Sequence, residues 1–142
     1  MKLFLKFPTR GTFIRKAFDN MDTYTLPFIK GAMIELKEFV RDDGKSPFGQ
    51  WFDSLNIHAA AEIVIALTRL KEGKHSRIKP VGSGVYEYTI NFGPGYRIYF
   101  GKDGEKIIIL LHGGHKKRQQ KEIGRAIEYW HDYKARKKKG EV

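Results

Sequence analysis

Arg97 and Tyr99 stand two residues apart in a run, Tyr96 to Phe100, whose alternation marks a β-strand. The guanidinium and the phenol therefore share one face, while Tyr96, Ile98 and Phe100 take the other. A second set of reactive types, His115, Lys116 and Lys117, follows directly on Gly113 and Gly114 at the end of another apolar run. Glu87 belongs to the preceding strand, on the face that also carries Val85 and Thr89. Cationic and hydrogen-bonding groups converging on a sheet surface suit a polyanion better than a small apolar ligand. Glu87 can act as a general base if its surroundings raise its pKa, or it can be a carboxylate partner for Arg97. Tyr99 can stack on a nucleobase or pack in the interior. His115 can deliver a proton near neutral pH or be a plain surface residue at a helix start.

Composition narrows the setting. The 142 residues amount to one domain's worth of chain, and 41% hydrophobic with 13% aromatic residues argue for a folded protein. The formal charge is +11, from 27 Lys and Arg against 16 acids, which favours nucleic acid or an acidic partner. Cysteine is absent, which removes disulfides, thiolate metal sites and a thiol nucleophile, and is compatible with a reducing cytoplasm. His58, His75, His112 and His131 show no HxH or HExxH spacing, so neither a metal nor another cofactor is expected. The longest apolar run, Ile107 to Leu111, is far short of the roughly 20 residues that cross a bilayer. Lys6 and Pro8 interrupt the apolar N-terminal residues before they reach signal-peptide length. A soluble protein with no membrane partner is expected.

The elements that must position these groups read as follows. Residues 1–32 hold six basic and two acidic residues, punctuated by Pro8, Gly11, Pro27 and Gly31, and read as an extension. Met33 to Val40 suits a strand. Ser46 is a helix cap with Pro47 at the first helical position, and Phe48, Trp51, Phe52 and Leu55 form one apolar stripe before Asn56 breaks the helix. A second helix spans about Ala59 to Glu72, with Ile63, Leu67 and Leu70 inward and Gly73 as its stop. Lys74 to Gly84, with Arg77 and Lys79, reads as a polar loop. Tyr86, Tyr88, Ile90 and Phe92 share one face of a strand that turns at Gly93-Pro94-Gly95 into the run carrying Arg97. Asp103-Gly104 turns again into a buried strand, Ile107 to Leu111. A helix from Lys116 to about Lys137 docks through Ile123, Ala126, Ile127, Trp130 and Tyr133, and a basic tail closes the chain. The order β-α-α-β-β-β-α makes an α+β domain around a three-strand meander.

Several motifs then carry a resemblance. Arg69-Leu70 with Gly73, Lys79-Pro80-Val81-Gly82 with Gly84-Val85 and Glu87, Gly93-Pro94-Gly95-Tyr96-Arg97 with Tyr99-Phe100, and Gly113-Gly114 with Lys116, Gln119, Ile123 and Ala126 follow one another in a set order. The chain from about 33 to 137 resembles the RelE/ParE superfamily of bacterial toxins, in its HigB-like or phage Gp49-like branch. The resemblance implies a RelE-like fold: a mostly meander antiparallel sheet against an N-terminal helical hairpin and a C-terminal helix. It implies a toxin of a type II toxin–antitoxin pair, neutralised by a cognate antitoxin that is a helix-turn-helix protein encoded next to it. In RelE-like members it implies a metal-independent ribonuclease that cuts mRNA on the ribosome.

Such chemistry needs the ribose 2′-hydroxyl deprotonated, the in-line phosphate stabilised and the leaving 5′-oxygen protonated. By resemblance Arg97 binds the scissile phosphate, for which a forked guanidinium is suited, and Lys116 is the second basic position. His115 and Lys117 are candidates for the leaving group, and Tyr99, Lys117, Arg118, Gln119, Lys79 and Arg77 for RNA contact. The chain also departs from the pattern. Glu87 and Thr89 stand where this branch has an arginine two residues after the strand glutamate and RelE has lysines. Glu122 falls near the place of a last-helix tyrosine of RelE. A ParE-like inhibitor of DNA gyrase on the same scaffold, and an inactive relative that acts in antitoxin-bound autoregulation, are the alternatives.

Overall fold

The computed structural model describes residues 34–74 and 76–141, and the extension expected over 1–32 lies outside them. Strand alternation organises the centre. β3 (Val85–Ile90) and β4 (Tyr96–Asp103) pair antiparallel, with Glu87 opposite Tyr99 and Thr89 opposite Arg97. The turn between them needs left-handed backbone at Gly93 (φ +55°) and Gly95 (φ +87°), which costs glycine little. β5 (Ile107–His115) returns antiparallel to β4, and β1 (Glu35–Glu38) lies parallel to β5 at one edge. β2 (Ile78–Gly82) pairs antiparallel with β3 at the other edge, so the order across the sheet is β1-β5-β4-β3-β2.

Three expectations are corrected. The stretch 74–84, read as a loop, contains β2: an edge strand has one partner, so Lys79 and Pro80 can sit in it without leaving a ladder bond unmade. β5 does not stop before the glycines but continues through Gly113 and Gly114 to His115, opposite Ile98, Arg97 and Tyr96. β3 ends at Ile90, so Phe92 lies beyond the strand and is exposed.

Helices cover both faces of this mixed sheet. α1 (Pro47–Asp53) is capped by Ser46, whose hydroxyl accepts from the Gly49 N–H at 2.9 Å. Asn56 caps α2 (Ile57–Lys71) by accepting from the Ala59 N–H at 2.9 Å. Their apolar stripes, among them Phe48, Phe52, Ile63, Leu67 and Leu70, meet Tyr88, Tyr96, Ile98 and Phe100 in the larger core. A 3₁₀ turn (Lys116–Arg118) leads into α3 (Gln119–Lys138), which ends one residue beyond the expected Lys137, at the start of the basic tail expected over 138–142. α3 lays Ala126 and Trp130 on Val85, Tyr99, Ile109 and Leu111 on the opposite face. The predicted division of β4 is therefore the observed one: Ile98 and Phe100 belong to one core and Tyr99 to the other.

Candidate functional site

A buried carboxylate forms the centre of the α3 face. Glu87 is fully buried and meets Arg97 from the neighbouring strand, with 3.3 Å between Arg97 Nε and Glu87 Oε2. Gln119, the first residue of α3, donates from Nε2 to the same oxygen at 2.7 Å. Lys79, opposite Glu87 across β2 and β3, brings its exposed ammonium to 3.6 Å from Oε1. A carboxylate removed from water needs this company, because an unpaired buried charge is costly. The ion pair also fixes the Arg97 side chain, which is 12% exposed, at the foot of α3. Tyr99 completes the floor. Burial first, and the facing Glu87 carboxylate next, push its hydroxyl well above the ordinary phenol value, with Arg97 pulling the other way.

The rim of the site is cationic. Lys116, Lys117 and Arg118 are exposed, and an open depression of 410 Å³ lies against them together with Gln119, Gln120 and Lys121. The backbone N–H of Lys116 donates to the Gly95 carbonyl at 3.3 Å, which ties this turn to the β3–β4 turn two residues from Arg97. The first turn of the 20-residue α3 adds the positive end of its dipole to the same corner.

The two glycines of β5 each make room for a neighbour. A Cβ on Gly113 would fall within the Trp51 ring on one face, and a Cβ on Gly114 would fall on the Glu122 carboxylate on the other. Glu122, in the first turn of α3, is 8% exposed, and its Oε1 has no hydrogen-bond partner among the described residues. Burial raises its pKa, against the pull of Arg118, His115, Arg125 and Lys121. His112 lies opposite Tyr99, edge-on to the Tyr129 ring at 5.9 Å, and neither of its ring nitrogens has a hydrogen-bond partner among the described residues.

The structure brings Arg97, Glu87, Gln119 and Lys79 together and sets the turn Lys116–Arg118 beside them. It separates others. Tyr99 is fully buried, so of its two readings the packed one is observed and base stacking is not. His115 pairs with Tyr96 and lies edge-on to that ring at 6.1 Å, on the face of the helical hairpin rather than with Arg97. Arg77 lies in the turn before β2, and its charge bears on Tyr88 of that same hairpin face. The sequence reading passed over Glu122 and His112 as site residues. A signal existed for the first: glycines inside a strand mark a close approach, and an acid in the opening turn of a basic helix is a candidate to make it. Among the described residues no group of His, Asp and Glu is arranged to hold a metal ion. No helix among them is long and apolar enough to cross a membrane.

Comparison with known proteins finds relatives of this chain. The model of the family described as phage-derived protein Gp49-like matches residues 50–131, more than half of the chain and all of the network around Glu87. An uncharacterized protein of Haemophilus influenzae is 39% identical over 80 residues, which cover 56% of this chain and 81% of that relative.

Proposed function

We propose a function from one premise: this chain belongs to the family of phage-derived Gp49-like proteins, whose members are typically toxins of toxin–antitoxin pairs. On this reading it is the toxin of such a pair, HigB-like within the RelE/ParE superfamily and RelE-like in fold, held silent by a cognate antitoxin. Its activity is a metal-independent cleavage of translated mRNA on the ribosome, in the cytoplasm. The observation that carries the nuclease part is a preset arginine beside a cationic rim: Arg97 is fixed by Glu87, and the exposed Lys116–Arg118 turn adjoins it.

The parts have distinct tasks. Arg97 offers its guanidinium fork to the scissile phosphate, where charge builds as the 2′-oxygen attacks. Lys116 and Lys117 supply further positive charge on the leaving side, and Arg118 with Lys79 holds flanking phosphates. Glu87 positions Arg97, and Gln119 fastens the start of α3 to that pair. Preorganised charge of this kind stabilises a transition state because it need not be reoriented during the reaction.

The test is primer extension on a translated message after induction of the chain without an antitoxin. New 5′ ends within codons are expected, and Arg97→Ala should lower cleavage by about 10²- to 10³-fold with the fold retained. Lys116→Ala should lower it less. Growth arrest with intact message and defective DNA supercoiling would move the assignment to gyrase inhibition, and neither arrest nor cleavage would leave the autoregulatory reading.

A further inference from the structure

Two carboxylates, Glu87 and Glu122, lie on the face of the sheet that carries Arg97, and among the described residues only Glu87 is engaged in ion pairs. Glu87 is engaged by Arg97, Gln119 and Lys79. Glu122 is 8% exposed with its Oε1 unpartnered among the described residues, an arrangement that native interiors seldom keep without a use. Its direction is set by β5: the carboxylate occupies the space that a side chain at Gly114 would fill. Gly114 is the residue directly opposite Arg97 across β4 and β5. Side chains at opposed positions of an antiparallel pair share a face with their Cβ atoms about 5 Å apart. The Glu122 carboxylate therefore lies on the Arg97 face of the sheet, in the place of the missing side chain and about 5 Å from the Arg97 Cβ.

We propose that Glu122 is the general base of the site, taking the 2′-hydroxyl proton of the ribose whose 3′-phosphate Arg97 holds. The inference rests on the ribonuclease reading above. In the step, the Glu122 carboxylate accepts the proton, the 2′-oxygen forms a bond to phosphorus, and the bond from phosphorus to the 5′-oxygen breaks. The 5′-oxygen leaves with a proton from water in the open depression by Lys116–Arg118, and Glu122 returns its proton to solvent. The products are a 2′,3′-cyclic phosphate and a 5′-hydroxyl, with no net change in protons. Glu87 is ill placed for this task, since its oxygens already face two cations and an amide. The charged groups that act on Glu122 are Arg118, Lys121 and Arg125 of α3 and its lead-in turn and His115 of β5, and the Glu122 charge acts in turn on Tyr99 of β4. His112 shares the face of Gly114 on β5. Burial outweighs the cations and raises the carboxyl, which makes the ionised form a stronger base.

Glu122→Gln keeps the shape and removes the base. In the primer-extension assay, with purified chain on a ribosome-bound message, it should cleave about 100-fold more slowly, with the affinity for RNA unchanged. The rising limb of the rate against pH should disappear with it, and Glu122→Asp should restore part of both. Gly114→Ala, whose methyl displaces the flexible carboxylate, should show a comparable loss while remaining folded. A folded Glu122→Gln chain that cleaves within about twofold of the unchanged one, with the same pH profile, overturns the proposal and leaves the ribonuclease reading standing. If Glu122→Gln does not fold, an unimpaired rate in folded Gly114→Ala overturns it equally. An unchanged chain that arrests growth and cuts no message overturns both readings.

Discussion

His112 and Glu122 titrate in opposite senses, and each makes a prediction about stability. Burial first, then Arg125 and Arg118, hold the His112 pKa at about 4 against an ordinary 6.5. The folded state resists a proton that the unfolded chain accepts. The contribution of His112 is therefore complete above pH 6.5 and is lost as the pH falls through 4. Urea melts should show a loss of up to about 3 kcal/mol over that window, absent in His112→Phe. For Glu122 the folded pKa is raised, so its contribution is present below the unfolded carboxylate value and is lost as the pH rises through the folded one. Glu122→Gln should accordingly melt at a higher temperature than the unchanged chain at neutral pH, and the gap should close in acid. A variant that is both more stable and slower is the expected mark of a group kept for function rather than packing.

At the scale of elements, β5 decides how the helices approach. Gly113 admits the Trp51 ring of α1 and Gly114 admits Glu122 of α3, so one strand brings two helices close by lacking two side chains. The two positions should respond differently to alanine. Gly113→Ala meets a rigid indole and should cost about 1–3 kcal/mol in chemical denaturation, whereas Gly114→Ala meets a movable carboxylate and should cost little. α3 is itself unevenly held. Its C-terminal part is tied down by Tyr133 donating to Asp103 at 2.6 Å, by the Lys137–Asp103 ion pair and by Arg136 donating to the Val40 carbonyl at 2.7 Å. Its first turns are held instead by Gln119 donating to Glu87 and by the Glu122 carboxylate seated against Gly114. The helical hairpin depends on local caps, and Ser46→Ala should lower stability by about 1 kcal/mol in the same experiment.

For the whole molecule, a charge of +11 predicts salt-sensitive contact with RNA. Each phosphate contact on a single strand contributes about 0.7 to the slope of log affinity against log salt. Replacing Lys116, Lys117 and Arg118 together by alanine should reduce that slope by about 2 in a filter-binding titration. An unchanged slope would mean that this turn faces no phosphate.

Alternation alone determined which side chains of β3 and β4 share a face, because a strand's period leaves no choice once the strands are set. Ser46, Pro47 and Gly73 marked helix ends through bonds and backbone preferences that are local. The motif order around Glu87, Arg97 and Gly113-Gly114 was legible enough to name the family. Tertiary structure decided the rest. β2 exists because β3 offers it an edge, and no pattern within residues 74–84 requires that. Tyr99 is buried because α3 packs over it, and the Glu122 carboxylate is seated against β5 because Gly114 has no side chain there. Contacts between residues far apart in the chain depend on how helices settle on a sheet, and that packing leaves no local signature.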